Sequence, residues 1–187
     1  MALNTTINRQ KLIQIYPDLR NDSNFQILSP RTPVCNCIAW AMDYTDRWVE
    51  PCVGPGFWWP NGATRDYTTE ALIEAFEAEG FELAQHPNPE EGFSKVILYK
   101  NEVTETWTHA SKVISDDVEY SKFGQSWDGH HSHGVLCNTE QGYEDYSYGV
   151  PYAFMKRRIV TKEKTALSGN VSIDIDLFKK LKAKLGK

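Results

Sequence analysis

Residues 95–123, KVILYKNEVTETWTHASKVISDDVEYSKF, decide the fold that the sequence predicts. Three segments rich in β-branched and aromatic residues are separated by short polar connections, a pattern typical of strands joined in sequence by tight turns. The stretch therefore predicts an antiparallel meander with His109 in its middle strand. The predicted strands cover 95–100, 107–114 and 118–123, with turns at Asn101-Glu102 and Asp116-Asp117.

A buried helix is predicted on the N-terminal side of this meander. From Asn36 to about Tyr44 the residues are apolar almost all round, which is typical of a helix inside a core. A second helix is predicted between an N-cap at Thr68 and a stop at Gly80. Helix and meander together predict an α+β domain in which the helix that begins at Cys37 packs on an antiparallel sheet.

The remaining segments define the expected domain organisation. A chain of 187 residues lies within the size range of one core, because cores usually divide only above roughly 250 residues. We expect an irregular N-terminal arm over 1–33, the folded domain over 34–160, and a linker with a C-terminal helix over 161–187. Within the domain, 124–150 is long and polar, and loops of that length are usually functional or mobile.

Composition excludes several classes of protein. The net charge of −5 argues against a nucleic-acid partner, because phosphate binding needs clustered Lys and Arg. No apolar run approaches the ~18 residues of a membrane span, and the first residues lack the pattern of a secretory signal. We therefore expect no membrane partner and cytoplasmic synthesis, with secretion that needs no cleavable signal left open. The four cysteines are expected to be reduced thiols.

Cys37 and His109 are the predicted catalytic pair. The start of a helix presents unpaired N–H groups, which lower the pKa of a thiol and stabilise an oxyanion. A histidine on a rigid strand is suited to act as the general base of such a nucleophile. The alternative is structural: free cysteine is commonly a small buried apolar residue, and His109 is then a hydrogen-bonded core histidine.

The third catalytic residue depends on the register of the hairpin that follows His109. If Asp116-Asp117 form a two-residue turn, Lys122 lies on the His109 face, but an ammonium group accepts no hydrogen bond from an imidazole. A one-residue bulge would place Ser121 or Gln125 on that face instead. Asp128 and His131 are further alternatives.

Other polar and aromatic residues are candidates for substrate binding. Asn36 is either an oxyanion donor or the N-cap of the Cys37 helix. Three tryptophans either stack on a ligand or pack in the core, and His131 either contacts substrate or supports His109. The tryptophans are Trp58, Trp59 and Trp127. The cluster His130-His131-Ser132-His133 with Cys137 is incomplete as a zinc pattern, so no metal is expected.

Five motifs together resemble an uncharacterised bacterial family that is itself distantly similar to the NlpC/P60 and papain-like cysteine peptidases and amidases. The resemblance covers roughly 33–158 and implies a papain-like fold, Cys37 as nucleophile, His109 as base and a third polar group on the next strand. Gln125 fits that third place, because relatives of this type often use His, Asn or Gln there. The motifs are Asn36-Cys37-Ile38-Ala39-Trp40-Ala41, Trp58-Trp59-Pro60, EGFSKVILY at 91–99, Thr108-His109-Ala110-Ser111 and Ser121-Lys122-Phe123-Gly124.

The reaction that this resemblance implies is acyl transfer from an amide through a thioester on Cys37. The expected protein is a peptidase, amidase or glutamine deamidase that needs no cofactor, acts on a peptide or other amide, and has a cognate inhibitor or immunity protein if it is a secreted effector. The alternative is a binding or immunity-type module on an inactive papain-like fold. Redox chemistry through Cys35 and Cys37 is disfavoured, because Cys-x-Cys differs from the usual Cys-x-x-Cys.

Overall fold

The computed structural model describes residues 3–137 and 148–159. Within them lie three α-helices, one 3₁₀ turn and nine strands. The helices are α1 (Thr6–Ile13), α2 (Cys37–Ala41) and α3 (Thr69–Ala78), and the 3₁₀ turn is Pro17–Arg20. The strands are β1 (Gln26–Ser29), β2 (Trp48–Val49), β3 (Phe57–Trp58), β4 (Glu82–Ala84), β5 (Phe93–Lys100), β6 (Trp107–Ser115), β7 (Val118–Lys122), β8 (Asp128–Ser132) and β9 (Val150–Arg158).

A seven-stranded sheet forms the centre of the molecule. Its strand order is β1-β8-β7-β6-β5-β9-β4, and each neighbouring pair is antiparallel. Strands β2 and β3 form a separate parallel pair. The predicted meander is confirmed as β5, β6 and β7, which are consecutive in both sequence and sheet.

A bulge in β6 sets which residues share the His109 face. Ser115 pairs with Val118, but Val113 pairs with Glu119, so one extra residue lies in β6 between the two pairs. Because side chains alternate along a strand, this shift moves Ser121 onto the His109 face. The register with a bulge, one of the two considered from the sequence, is therefore the one observed.

The two faces of the sheet bury two separate apolar clusters. Neighbouring residues on β6 belong to opposite faces: Ala110 is in the cluster with the residues of α2 and α3, whereas His109 faces the side covered by α1 and the 3₁₀ turn. The first cluster contains Cys37, Ile38, Leu72, Phe76, Leu98, Ala110 and Met155, and the second contains Leu12, Tyr16, Leu19, Ile27, Phe123 and Trp127.

The predicted papain-like fold is wrong. That prediction gave the Cys37 helix a central role over 36–44, but α2 has only 5 residues and the helices are short beside a sheet of seven strands. The reason is local: Met42 no longer has helical geometry and Asp43 has a positive φ of 72°, which ends the helix after little more than one turn. The apolar residues that suggested a long helix belong partly to the loop behind it.

The ends of the predicted domain also differ from expectation. The arm over 1–33, predicted to be irregular, contains α1 and the 3₁₀ turn, and its strand β1 pairs with β8. Strand β8 lies in the segment 124–150 that was predicted as a loop. By contrast, α3 has the predicted cap, since Thr68 Oγ1 accepts a hydrogen bond from Ala71 N at 3.3 Å. The predicted C-terminal helix lies outside the described residues.

Candidate functional site

Asn36 fixes the start of α2. Its Oδ1 accepts hydrogen bonds from Ala39 N at 3.0 Å and Val49 N at 3.2 Å. Its Nδ2 donates to Val49 O at 2.7 Å and lies 3.4 Å from Glu50 Oε2. Both ends of the amide are therefore engaged in tying α2 to β2, which confirms the N-cap interpretation and leaves no donor directed at a ligand.

The Cys37 thiol packs on the Ala110 face of β6, the face opposite to His109. It accepts a hydrogen bond from the backbone N–H of Ala110, the residue after His109. That N–H has no partner on β7, because the β6–β7 ladder ends at the pair of Lys112 and Tyr120. The nucleophile candidate is thus bonded to the strand residue next to the base candidate, while the two side chains lie on opposite faces of β6.

The Cys37 thiol is buried, and its pKa is raised where the sequence predicted a lowered pKa. Cys37 is 8% exposed, and this burial raises its pKa to about 11, although the N–H groups of Ala110 and Ile38 act to lower it. The negative charge of Glu50 raises it further. With only 5 residues, α2 does not supply the dipole that the sequence interpretation required.

His109 belongs to a buried chain of hydrogen bonds. Its Nε2 lies 2.9 Å from Ser121 Oγ, which in turn lies 2.8 Å from His131 Nε2. At the far end, His131 Nδ1 lies 2.9 Å from the carbonyl oxygen of Ser132. All three side chains are buried, with Ser121 and His109 at 0% exposure.

The direction of this chain follows from the carbonyl at its end. Burial lowers the pKa of both histidines, so each carries one N–H at neutral pH. His131 must donate from Nδ1 to the carbonyl of Ser132, so its Nε2 accepts from the Ser121 hydroxyl. Ser121 then accepts from His109 Nε2–H. The remaining nitrogen, His109 Nδ1, therefore carries an unprotonated lone pair, which is buried and has no hydrogen-bond partner among residues 3–137 and 148–159.

Tyr148 covers the imidazole, and Tyr16 in turn contacts Tyr148. The Tyr148 ring stacks on His109 with centroids 3.9 Å apart and planes 7° apart. Its hydroxyl is 2.7 Å from that of Tyr16, which follows α1. Tyr16 and Tyr148 also interact electrostatically with Cys37. Both tyrosines belong to the cluster on the His109 side of the sheet, so that side of the imidazole is covered.

A buried carboxylate lies next to this chain on the same face. Glu119 accepts hydrogen bonds from the Tyr99 hydroxyl at 2.7 and 2.6 Å, from Ser111 Oγ, and from His133 Nδ1 at 2.8 Å. Burial by itself would raise the pKa of Glu119, but these donors and the neighbouring His131 hold that pKa below its usual value. The same carboxylate raises the pKa of His133.

Of the two leading candidates for the third residue, the structure brings Ser121 to His109 and leaves Gln125 outside. Gln125 is exposed and lines a groove near the residues that precede Cys37. His131 contacts His109 through Ser121, which fits the supporting role considered from the sequence. Asp128 is buried and accepts from the Tyr120 hydroxyl at 2.8 Å, away from His109.

The three candidate tryptophans make packing contacts. Trp59 is 2% exposed and donates from Nε1 to Thr64 O at 3.0 Å, while Trp127 is buried in the cluster beneath α1. Trp58 is half-buried and packs against Tyr44 with ring centroids 5.3 Å apart. These contacts match the packing alternative rather than stacking on a ligand.

The histidine cluster does not converge on one point. His131 and His133 face the buried chain and Glu119, whereas the His130 ring contacts Tyr120 on the opposite face, with centroids 5.0 Å apart. Among residues 3–137 and 148–159, no group of three or more Cys, His, Asp and Glu side chains is arranged to hold a metal ion.

Three residues of the site were missed by the sequence analysis: Tyr148, Glu119 and Glu50. Tyr148 had one signal, its place in the aromatic segment 124–150 that was predicted to be functional. Glu119 had no such signal in the sequence, because a glutamate in a strand with alternating polarity is normally predicted to face the solvent. Glu50 lies in a loop whose Pro and Gly content predicted irregular structure only.

The buried histidines predict a loss of stability in acid. Burial lowers the folded-state pKa of His109 to about 3, below its ordinary value of 6.5. The unfolded chain therefore takes up the proton first, so the stabilising contribution is complete above pH 6.5 and is lost as the pH falls. We expect His109 to lower the free energy of unfolding by about 1.4 kcal/mol per pH unit between roughly pH 6 and pH 5.

Urea unfolding at several pH values measures this slope. In His109→Gln the slope of the unfolding free energy against pH, between pH 6 and pH 5, should be smaller by the contribution of one bound proton. His86→Gln, which changes an exposed histidine, should leave this slope unchanged. Equal slopes in His109→Gln and the wild type would contradict a neutral, buried His109.

The described fold and site define a mainly antiparallel β domain with a buried cysteine and histidine at the junction of β6 and β7. A family model described as a domain of unknown function, DUF7689, matches residues 26–156, and the chain belongs to that family. No curated protein and no solved structure matches the chain, so the papain-like resemblance gains no structural neighbour. None of the described helices is long and apolar enough to cross a membrane.

Proposed function

We propose that the protein is a cysteine hydrolase that acts on an amide bond, with Cys37 as nucleophile and His109 as general base. One observation supports this above the others: the chain from Ser132 through His131 and Ser121 leaves a bare Nδ1 on His109. Burying a lone pair without a hydrogen-bond donor lowers the stability of the folded protein. An unsatisfied polar group of this kind calls for an explanation, and a catalytic role is one.

The proposed reaction uses that lone pair as the proton acceptor. The Cys37 S–H proton passes to His109 Nδ1, and the sulfur attacks the carbonyl carbon of the amide. The amine leaves with the proton from Nδ1, and a thioester forms on Cys37. Water then attacks the thioester and gives its proton to the same nitrogen, which returns it to the departing thiolate. Ser121 and His131 are positioning residues, because they hold His109 in the tautomer with a bare Nδ1.

The proposed resting state is a neutral thiol beside a neutral imidazole. The pKa of Cys37 is raised to about 11 and that of His109 is lowered to about 3, both through burial, so the two groups do not form an ion pair before substrate binds. Cys37 packs on the Ala110 face of β6 and His109 lies on the other face, so catalysis requires a rearrangement. Tyr148 must move off the imidazole, and the thiol must leave Ala110 N and reach Nδ1 past the end of the β6–β7 ladder. Catalytic contacts that tighten only in the substrate complex are common.

A non-catalytic binding or immunity-type module is the second candidate. The observation that favours it is the enclosure of Cys37, which is 8% exposed and has a raised pKa, as expected for an inert thiol. In this case the buried polar groups around His109 specify the packing of the sheet and have no chemical role.

A product screen separates the two candidates. The purified protein is incubated with a proteome-derived peptide library, and mass spectrometry detects new peptide termini or the conversion of a side-chain amide to an acid. We expect products with the wild type and none with Cys37→Ala. Cys137→Ala removes a thiol that is not the proposed nucleophile and should retain the products.

Two outcomes would overturn the hydrolase proposal. One is the absence of products from a folded wild-type protein. The other is product formation that persists in Cys37→Ala, which would point to a contaminating peptidase or to a different nucleophile.

A further inference from the structure

A groove of about 530 Å³ opens beside the residues that lead into Cys37. Val34 lies three residues before the nucleophile, and Glu50 is joined to the N-cap residue Asn36 through a 3.4 Å contact. Of the grooves formed by the described residues, this one is lined by the segment that positions Cys37. Its lining includes Val34, Trp48, Glu50, Cys52, Phe57 and Gln125.

Aromatic side chains form one wall of this groove. Trp48 and Phe57 are directly paired across the parallel strands β2 and β3, so their side chains lie side by side. Phe57 is 45% exposed and Val34 is 51% exposed, so both present apolar surface at the groove. Exposed apolar surface at a concave site is typical of ligand binding.

Among the described side chains that line the groove, Glu50 is the only one with a formal charge. Its Oε1 accepts from the Tyr67 hydroxyl at 2.7 Å and its Oε2 lies 3.3 Å from Trp48 Nε1. These neutral donors fix the carboxylate in place but do not neutralise it. Within the described part of the chain, no Lys, Arg or His forms an ion pair with it. The guanidinium of Arg65 donates to Cys52 O at 3.2 Å.

We propose that this groove is the substrate site of the hydrolase and that it selects amides whose side chain ends in an organic cation, an ammonium or guanidinium group. The cation lies against Glu50, and the aliphatic or aromatic part of the substrate lies on Trp48 and Phe57. Gln125 on the opposite side offers an amide for hydrogen bonds to the substrate backbone. The assignment rests on the proposed function.

Cys52 is a built-in reporter of the groove. It is partly exposed, and its Sγ lies 3.2 Å from the Tyr67 hydroxyl that donates to Glu50. The probes are two methanethiosulfonates of opposite charge, one with a trimethylammonium-ethyl group and one with a sulfonato-ethyl group. Each forms a mixed disulfide with the thiolate and releases methanesulfinate. The ratio of their rates cancels the reactivity of the thiol and leaves the effect of local charge.

We expect the cationic probe to label Cys52 about tenfold faster than the anionic probe, after division by the same ratio for a small free thiol. Glu50→Gln should bring the ratio close to that of the free thiol. Glu102→Gln, which removes one negative charge from an exposed turn, should leave the preference intact. Peptide mass spectrometry assigns the labelled cysteine.

The wild type provides a second measurement in case Glu50→Gln disturbs the loop. Raising NaCl from 10 mM to 1 M shortens the Debye length from roughly 30 Å to roughly 3 Å, and should remove most of the charge preference. In addition, Nα-benzoyl-arginine amide should slow the labelling of Cys52, whereas Nα-benzoyl-glutamate amide should not.

Equal labelling by the two probes, or equal protection by the two amides, would overturn the assignment of the groove. The measurements are made at Cys52 and work equally in Cys37→Ala. Charge-selective protection without any turnover therefore removes the hydrolase proposal and leaves a cation-binding groove. Turnover that depends on Cys37 but shows no preference for cationic amides removes the groove assignment alone.

Discussion

His109→Ala is expected to lower kcat/KM about a thousandfold on the amide substrate that the product screen identifies, because a general base contributes roughly 10²- to 10⁴-fold. Without the imidazole, the proposed acceptor of the thiol proton is lost, and the pKa of that thiol is raised to about 11. Combining His109→Ala with Cys37→Ala should cost little more than either change alone, since the two residues act as a unit.

Ser121 tests whether the hydrogen-bond chain has the proposed direction. In Ser121→Ala the Nε2–H of His109 loses its acceptor, so the imidazole can place its proton on Nδ1 instead. We expect kcat to fall about tenfold, and Ser121→Thr, which keeps the hydroxyl, to recover most of it. The ¹⁵N spectrum of His109 distinguishes the tautomers directly, which a purely structural role for Ser121 would not affect.

Two results would contradict this interpretation. If the wild-type spectrum has the proton on Nδ1, then His109 is not a base towards Cys37. If His109→Ala retains full activity, the general base is another residue, and the unpartnered Nδ1 has only a structural consequence.

The central part of the sheet was predictable because its residues alternate and its turns are short. β5, β6 and β7 follow the predicted segments within two residues at each end. The bulge at Ile114 was foreseeable only as a choice between two registers, because the turn residues Asp116-Asp117 are compatible with both. That single residue decides whether Ser121 or Lys122 lies on the His109 face.

β8 was not predictable from its residues. The segment from Asp128 to Ser132 has no apolar side chain, so a method that looks for alternating apolar residues takes it as a loop. It is buried in the sheet because its polar groups are bonded to other buried groups: His131 to Ser121, and Ser132 N to Asp22 Oδ2 at 2.8 Å. Those partners are distant in sequence, and local patterns do not contain them.

The candidate site was predictable only where its residues belong to local sequence patterns. Order along the chain indicates Cys37 and His109, and the bulged register adds Ser121. Tyr148, which stacks on His109, arrives from beyond β8 and depends on the whole sheet order. The acidity of the thiol depends on burial, which propensities do not reveal, so a lowered pKa was expected where the structure raises it.

Glu119→Ala is expected to lower the free energy of unfolding by about 3–5 kcal/mol, the usual cost of removing one member of a buried polar network. The Glu119 side chain is 0% exposed and is the acceptor for Tyr99, Ser111 and His133. Removing it leaves buried donors without an acceptor and a cavity where the carboxylate was. Guanidinium denaturation of the folded variants measures the change.

The pH dependence of this loss identifies its electrostatic part. The folded pKa of Glu119 is below its ordinary value of 4.5, so its contribution is present above pH 4.5 and is lost as the pH falls. The folded pKa of His133 is above 6.5, so its contribution is complete below pH 6.5 and is lost as the pH rises through the folded pKa. The difference between wild type and Glu119→Ala should therefore be largest between pH 4.5 and pH 6.5.

Glu102→Ala, at an exposed turn, should change stability by less than about 0.5 kcal/mol. A loss for Glu119→Ala that is equally small would mean that the Glu119 cluster does not hold β6, β7 and β8 together.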